Sequence, residues 1–273
     1  MKDYPFIVDV DAGEYHEAAR RGEFLSSHML GDFRTCPLLY KKKMTGEIEQ
    51  MDTAAYQTGR AIHTLVLEGQ GRFDEEYLVS DGPVNPKTGE SFGKLTKAYK
   101  EWSAAQKRPV VSTADYGFML KLRTSVWLNP VANTLLERGR PEGTVRIPMA
   151  DEPCQIRMDW FNPDYEGRPV ICGLKTCDNL SFFERDAKKY GYPEQLAFYR
   201  GVFAEASGGE FCDVYIIAVE KREPFRCGVW KLTDELLDQA HTANLNAIDR
   251  LRECRRTATW PTDFEDVRIL DVY

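Results

Sequence analysis

Apolar residues change their period once along this 273-residue chain, after Gly139, and that change constrains the fold more than any other feature. Downstream of it lie three short strand-like runs, Thr144–Met149, Cys154–Phe161 and Val170–Lys175, joined by the turn-rich pieces Ala150–Pro153 and Asn162–Pro169. Connections this short predict an antiparallel meander for the first two runs, extending to the third. Ser181–Tyr190 follows, closed by Gly191, and then a helix opened by Pro193 and reaching about Ala206. Two further strands, Asp213–Glu220 and Arg226–Leu232, precede a last helix, Asp234 to about Arg256, capped by Thr233. Three strands, a helix, a strand pair and a covering helix make an α/β core over 141–273. A mostly helical part, 1–140, packs around it, and the whole of 1–273 is expected to form a single domain.

In the helical part, Ser26-Ser27 cap a short helix through Phe33 and Arg34, and Pro37 opens another over Leu38–Met44. A third is predicted from Thr53 to Glu68, ended by Gly69, with Ala61, Ile62, Leu65 and Val66 as its buried stripe and His63 beside it. The Gly-, Pro-, Asn- and Lys-rich stretch Asp81–Lys94 reads as a mobile surface loop. Helices are expected over Lys94–Gln106 and Ser112–Glu137, the second kinked or split at Pro130.

Composition removes several classes of function. A formal charge of −7 excludes a protein coated in basic residues for nucleic acid, although a local basic groove is compatible with it. The seven cysteines are odd in number, scattered and without a CxxC pair, which argues against a disulfide framework or a zinc ribbon. No apolar run approaches the ~20 residues of a membrane helix. Met1-Lys2-Asp3-Tyr4-Pro5 lacks the basic and apolar regions of a secretory signal, so a cytoplasmic location is expected.

Chemistry concentrates in Met158-Asp159-Trp160 and Val170-Ile171-Cys172-Gly173-Leu174-Lys175-Thr176. Side chains alternate along a strand, so positions 173 and 175 share a face while Leu174 points away. Adjacent strands would bring Asp159, position 173 and Lys175 together. Such a cluster suits phosphodiester hydrolysis: a carboxylate holds Mg²⁺ among oxygen ligands, the metal acidifies a water, and a lysine steadies negative charge.

These residues resemble the PD-(D/E)XK nuclease superfamily and, more narrowly, the RecE-type (exonuclease VIII-like) phage and prophage exonucleases. The resemblance spans most of the chain. It rests on Gly59-Arg60-Ala61-Ile62-His63-Thr64-Leu65-Val66-Leu67-Glu68, the Asp159 strand, Leu174-Lys175-Thr176, and Gly191-Tyr192-Pro193-Glu194-Gln195-Leu196-Ala197-Phe198-Tyr199, in that order. It implies a restriction-endonuclease-like core, a mixed sheet flanked by helices, with an N-terminal helical elaboration. It also implies an exonuclease on linear double-stranded DNA in phage-type recombination, with Mg²⁺, or Mn²⁺ in its place, as cofactor. His63, Asp159, position 173 and the Leu174 backbone carbonyl would hold the metal. Lys175 would act on water and phosphate, and Gln195 and Tyr199 would position the nucleophile or the scissile strand. A single-strand annealing protein and further copies of the chain, in a ring around DNA, are the implied partners.

One position departs from the pattern. Where the family carries a metal-binding Asp or Glu, two residues before the lysine, this chain has Gly173. Three alternatives stay open: loss of activity, a substitute carboxylate such as Asp178 or Glu184, or a shifted alignment. The rival function is a catalytically inactive DNA-binding or assembly protein that keeps the nuclease fold.

Taken singly, each residue has a plainer reading. His63 would be a partly buried helix histidine, Lys175 a solvated strand end, and Gln195 with Tyr199 one face of an amphipathic helix. Glu142 matches an acidic family position or is plain surface. Lys41-Lys42-Lys43, Lys94, Lys97, Lys100 and Lys87 are solvated faces or phosphate contacts. Tyr56 and Trp102 are core aromatics or base-stacking rings. An iron–sulfur branch of the superfamily is disfavoured because Cys254 has no close cysteine neighbours.

Overall fold

The computed structural model describes residues 3–49 and 53–270. Helix α1 spans Ala12–Arg20, α2 Ser27–Thr35, α3 Pro37–Met44 and α4 Ala54–His63. The Ser26 hydroxyl caps α2 by accepting from the Met29 N–H, and Pro37 opens α3, as the sequence predicts. The third predicted helix is corrected. It does not run smoothly to Gly69: α4 ends at His63, a π-helical turn covers Thr64–Glu68, and α5 resumes over Gly69–Glu76. Gly69 adopts φ 87°, a left-handed value that glycine tolerates and that lets the chain restart a helix rather than stop. The predicted stripe of Ala61, Ile62, Leu65 and Val66 is buried.

Strand β1 (Leu78–Val79) pairs in parallel with β2 (Val110–Val111), and α6 (Lys97–Ala104) lies between them in sequence. The surface stretch 81–94 carries a short antiparallel bridge, Val84 to Ser91. Helix α6 starts later than expected because the Thr96 hydroxyl, not Lys94, caps it. Asn129 both ends α7 (Thr113–Leu128) and caps α8 (Pro130–Glu137), so Pro130 splits the long apolar pattern.

Strands β3 (Arg140–Met149), β4 (Glu152–Tyr165) and β5 (Arg168–Cys177) form the antiparallel meander. A 3₁₀ turn (Leu180–Phe182), α9 (Phe183–Lys189) and α10 (Tyr192–Ser207) cross over to β6 (Asp213–Glu220), which therefore pairs with β5 in parallel. Strand β7 (Cys227–Lys231) closes the order β3-β4-β5-β6-β7, and α11 (Asp234–Thr257) covers it. Two apolar layers sandwich this mixed sheet. One, with Ile156, Ile171, Val214 and Ile216, packs against Leu30 and Phe33 of α2, Phe198 and Phe203 of α10, and Ile248 of α11. The other, with Val170, Cys172, Leu174 and Ile217, packs against Ile62 of α4, Leu122 of α7 and Leu135 of α8. Alternation along β5 thus sends Val170, Cys172 and Leu174 to one layer and Ile171 to the other, and it aims positions 173 and 175 toward α10.

Candidate active site

The β4–β5 ladder pairs Trp160 with Cys172 and runs from there to Tyr165 and Arg168. Past Trp160 a side chain enters: the Leu174 N–H donates to Asp159 Oδ2 at 2.8 Å. A carboxylate accepting a backbone N–H is held in one orientation, because this bond is charge-assisted. Lys175 Nζ lies 3.8 Å from the same oxygen and His63 Nδ1 3.9 Å from it. A Cβ built on Gly173 would stand 3.8 Å from Asp159 Oδ2 and 3.5 Å from Leu196 of α10. His63, Asp159, position 173 and Lys175 therefore share one centre, at the end of α4 and the middle of β4 and β5.

The second ring of groups comes from α10. Gln195 Nε2 donates to the Tyr199 hydroxyl at 3.5 Å, across one turn of the helix. Tyr199 is buried, and its phenol is pushed well above its ordinary value, first by burial and then by Tyr15 and Asp159. It stays a neutral donor. Tyr192 offers its ring to Lys175, whose Nζ sits 5.0 Å from the centroid. His63 is pushed down by burial, with Asp159 and the Leu174 carbonyl pulling it up and Lys175 pushing it further down. It faces the centre as a neutral imidazole near neutral pH.

Opposite Lys175 the site is acidic but tied up. Glu142 binds Arg157 with Nε–Oε2 at 2.6 Å. Burial raises the Glu142 carboxyl to about 8; Arg157 opposes this, and Asp159, Glu68 and Glu76 add to it. Glu68 is likewise raised by burial and by Glu76. Arg72 reaches Glu76 at 2.6 Å and Glu68 at 3.7 Å. Arg157 and the carboxylates of Glu68 and Glu76 were not singled out from the sequence. Arg157 was legible as the residue two before Asp159, on the same strand face. Glu68 closes the π turn and Glu76 ends α5, the two elements that the single predicted helix did not include as such.

The donor set falls short of the implied metal. Position 173 contributes no side chain, Glu142 is held by arginine, and among the described residues no three His, Cys, Asp or Glu side chains gather as a cation cage would. A hard divalent ion takes about six oxygen ligands. The two proposed substitutes are elsewhere. Asp178 is 70% exposed and pairs with Lys221 at 2.9 Å, while Glu184 accepts from the Trp230 indole at 3.3 Å.

Of the basic residues noted in the sequence, Lys43 pairs with Asp32 at 2.7 Å, Lys94 with Asp115 at 2.8 Å and Lys97 with Glu101 at 3.6 Å. Lys41 lies over the Trp260 ring. Trp102 packs against Tyr99, and Tyr56 is exposed. No helix among the described residues is long and apolar enough to cross a membrane.

Comparisons with known proteins bear on this geometry. No curated protein matches the chain. Among solved structures it is similar to the crystal structure of a candidate exonuclease from Eubacterium rectale, 14% identical, with a TM-score of 0.67 and 97% of each chain covered. SSO0001, 15% identical over 54% of this chain and 61% of its own, has a TM-score of 0.30, too slight a likeness to bear on the fold. A model described as a PDDEXK-like domain of unknown function (DUF3799) matches residues 26–271, nearly the whole sequence, and the chain belongs to that family.

Proposed function

We propose that this chain is a RecE-type DNA exonuclease in design, acting on linear double-stranded DNA, with its hydrolytic step impaired by Gly173. The observation that carries this is the convergence of Lys175, the Leu174 N–H and His63 on Asp159, backed by Gln195 and Tyr199. In this arrangement Lys175 holds a phosphate by charge. Asp159 is fixed so that it cannot swing away, and the neutral Tyr199 steadies Gln195 for a hydrogen bond to the substrate. Divalent metals supply Lewis acidity and an acidified water in PD-(D/E)XK chemistry. Here that supply is one carboxylate short. Cleavage should therefore suffer far more than binding, since phosphate contacts and metal ligation rest on different residues. A role in recombination beside an annealing protein, and assembly with further copies, follow from the RecE resemblance alone.

The test is a fluorescence-anisotropy titration of a linear duplex oligonucleotide with the full chain, in chelator, across a series of salt concentrations. Binding should be present at low salt and fall steeply as salt rises, because released counterions drive it. No binding at low salt would remove the DNA assignment altogether.

A further inference from the structure

A second feature lies beside the Lys175 centre and is used by none of the chemistry above. At the carboxyl ends of the parallel neighbours β5 and β6, a small half-open cavity of about 80 Å³ is lined by Thr176, Asp178, Asp186, Tyr190, Tyr192 and Lys221. In open α/β sheets this is the end at which crevices take ligands. Tyr192 links the cavity to the centre, because it lines the cavity and carries the Lys175 ammonium over its ring at 5.0 Å.

Its walls are aromatic and its edges are charged. Tyr190 and Tyr192 stand with centroids 5.9 Å apart at 33°, and Phe183 lies 6.2 Å from Tyr192 at 33°. Tyr190 is 61% exposed and the neighbouring Phe182 is 51% exposed, large rings left open to water. Cations alternate with these rings: Lys189 over Tyr190 at 5.3 Å and Arg185 over Phe182 at 4.8 Å. At the rim Asp178 pairs with Lys221 at 2.9 Å and Asp186 with Arg185 at 3.2 Å, so the charges there are balanced in pairs. Interleaved rings and cations, with the Tyr190 ring largely open to water, are what an unpaired nucleic-acid strand stacks on, because every base has a π-face and every linkage a negative charge.

We propose that the Tyr190–Tyr192 cavity binds an unpaired nucleobase, so that a single-stranded segment of DNA leads to or from the phosphate held at Lys175. This rests on the DNA reading above and names the strand state that the site prefers: a duplex with a single-stranded tail, not a blunt one.

The probe is a duplex with a short single-stranded tail carrying 2-aminopurine, made with the tail of either polarity, alongside the blunt duplex, all in chelator. One tailed duplex should bind more tightly than the blunt one, with 2-aminopurine fluorescence quenched on binding. In Tyr190→Ala the tail's advantage should vanish, a loss of roughly ten-fold, within the range for one base–aromatic stack, and the quench should go with it. Tyr190→Trp should restore both, which a merely structural role for an exposed ring would not require. Tailed and blunt duplexes bound equally well, without quenching, would overturn this site while leaving the DNA reading standing. Anisotropy unchanged with every DNA would bring down both.

Discussion

The two sides of the Asp159 centre differ sharply. On the side of β5 and α10, Lys175 and the Leu174 N–H meet Asp159, and Gln195 donates to Tyr199, the groups to which the proposed phosphodiester chemistry is assigned. On the side of β3 and the π turn, carboxylates are plentiful yet engaged: Glu142 with Arg157, Glu68 and Glu76 with Arg72. The groups proposed to hold and orient a phosphate are present, while those that would complete a metal cage are missing at 173 or paired with arginine. On the proposed reading, substrate recognition and metal ligation are thus separable in one centre.

The largest expected effect comes from restoring the missing side. Gly173→Asp should raise Mg²⁺- or Mn²⁺-dependent digestion of linear duplex by roughly 100-fold or more, the scale on which misplacing a catalytic group acts. The backbone admits it. Gly173 is not in the left-handed region, and an added Cβ meets only Leu196 and Asp159 Oδ2 at ordinary contact distance. Gly173→Asp combined with Lys175→Ala should return to background. Equal digestion by the original chain and by Gly173→Asp would show that a carboxylate at 173 is not what the site lacks.

The next effect tests the engaged side. Glu142 has a folded pKa of about 8 against an ordinary 4.5. Between those values the folded chain keeps a proton that the unfolded chain has released, so this group makes stability fall as pH rises through the window and level off above it. The uncharged Glu142→Gln should lack that fall. Denaturant midpoints at about pH 5 and about pH 8 should therefore diverge between the two proteins, with the original losing more on the way up. His63 and His28, both pushed down by burial, contribute the opposite slope at lower pH, but equally in both chains. Parallel slopes would mean that Glu142 is ionised throughout in its pair with Arg157.

Much of this was legible in the sequence, and the failures have physical causes. Period-two runs bounded by turns placed β3 to β7 to within a few residues, and Ser26, Pro37, Pro130 and Thr233 placed four helix starts. Alternation alone put Gly173 and Lys175 on one face, and the structure shows that this face is turned toward α10. What the sequence hid was the restart of a helix after Gly69, since a glycine at the end of an apolar helical run usually marks a stop. That restart, with the π turn before it, leaves Glu68 and Glu76 among the charges that act on Glu142. The helix α1 and the short β1–β2 pair were missed as well, because α1 is short and buries only Tyr15, Ala18 and Ala19, and two-residue strands leave no period to read.

The smallest expected effect separates charge from chemistry on the intact side. Lys175→Met removes an ammonium 3.8 Å from Asp159 while keeping an apolar stem to pack near Tyr192. In chelator, where cleavage is suppressed, it should lower affinity for linear duplex several-fold and reduce the slope of log affinity against log salt by about 1, the signature of one lost phosphate contact. The Asp159 carboxylate would then face the substrate with only the Leu174 N–H and a neutral His63 beside it, so part of the loss is repulsion. Asp159→Asn isolates that part. It removes the negative charge, leaves Lys175 in place and should raise duplex affinity with the salt slope unchanged or steeper. If Lys175→Met and Asp159→Asn shift affinity in the same direction, the centre does not receive a phosphate. The intact side of the comparison would then be intact in appearance only.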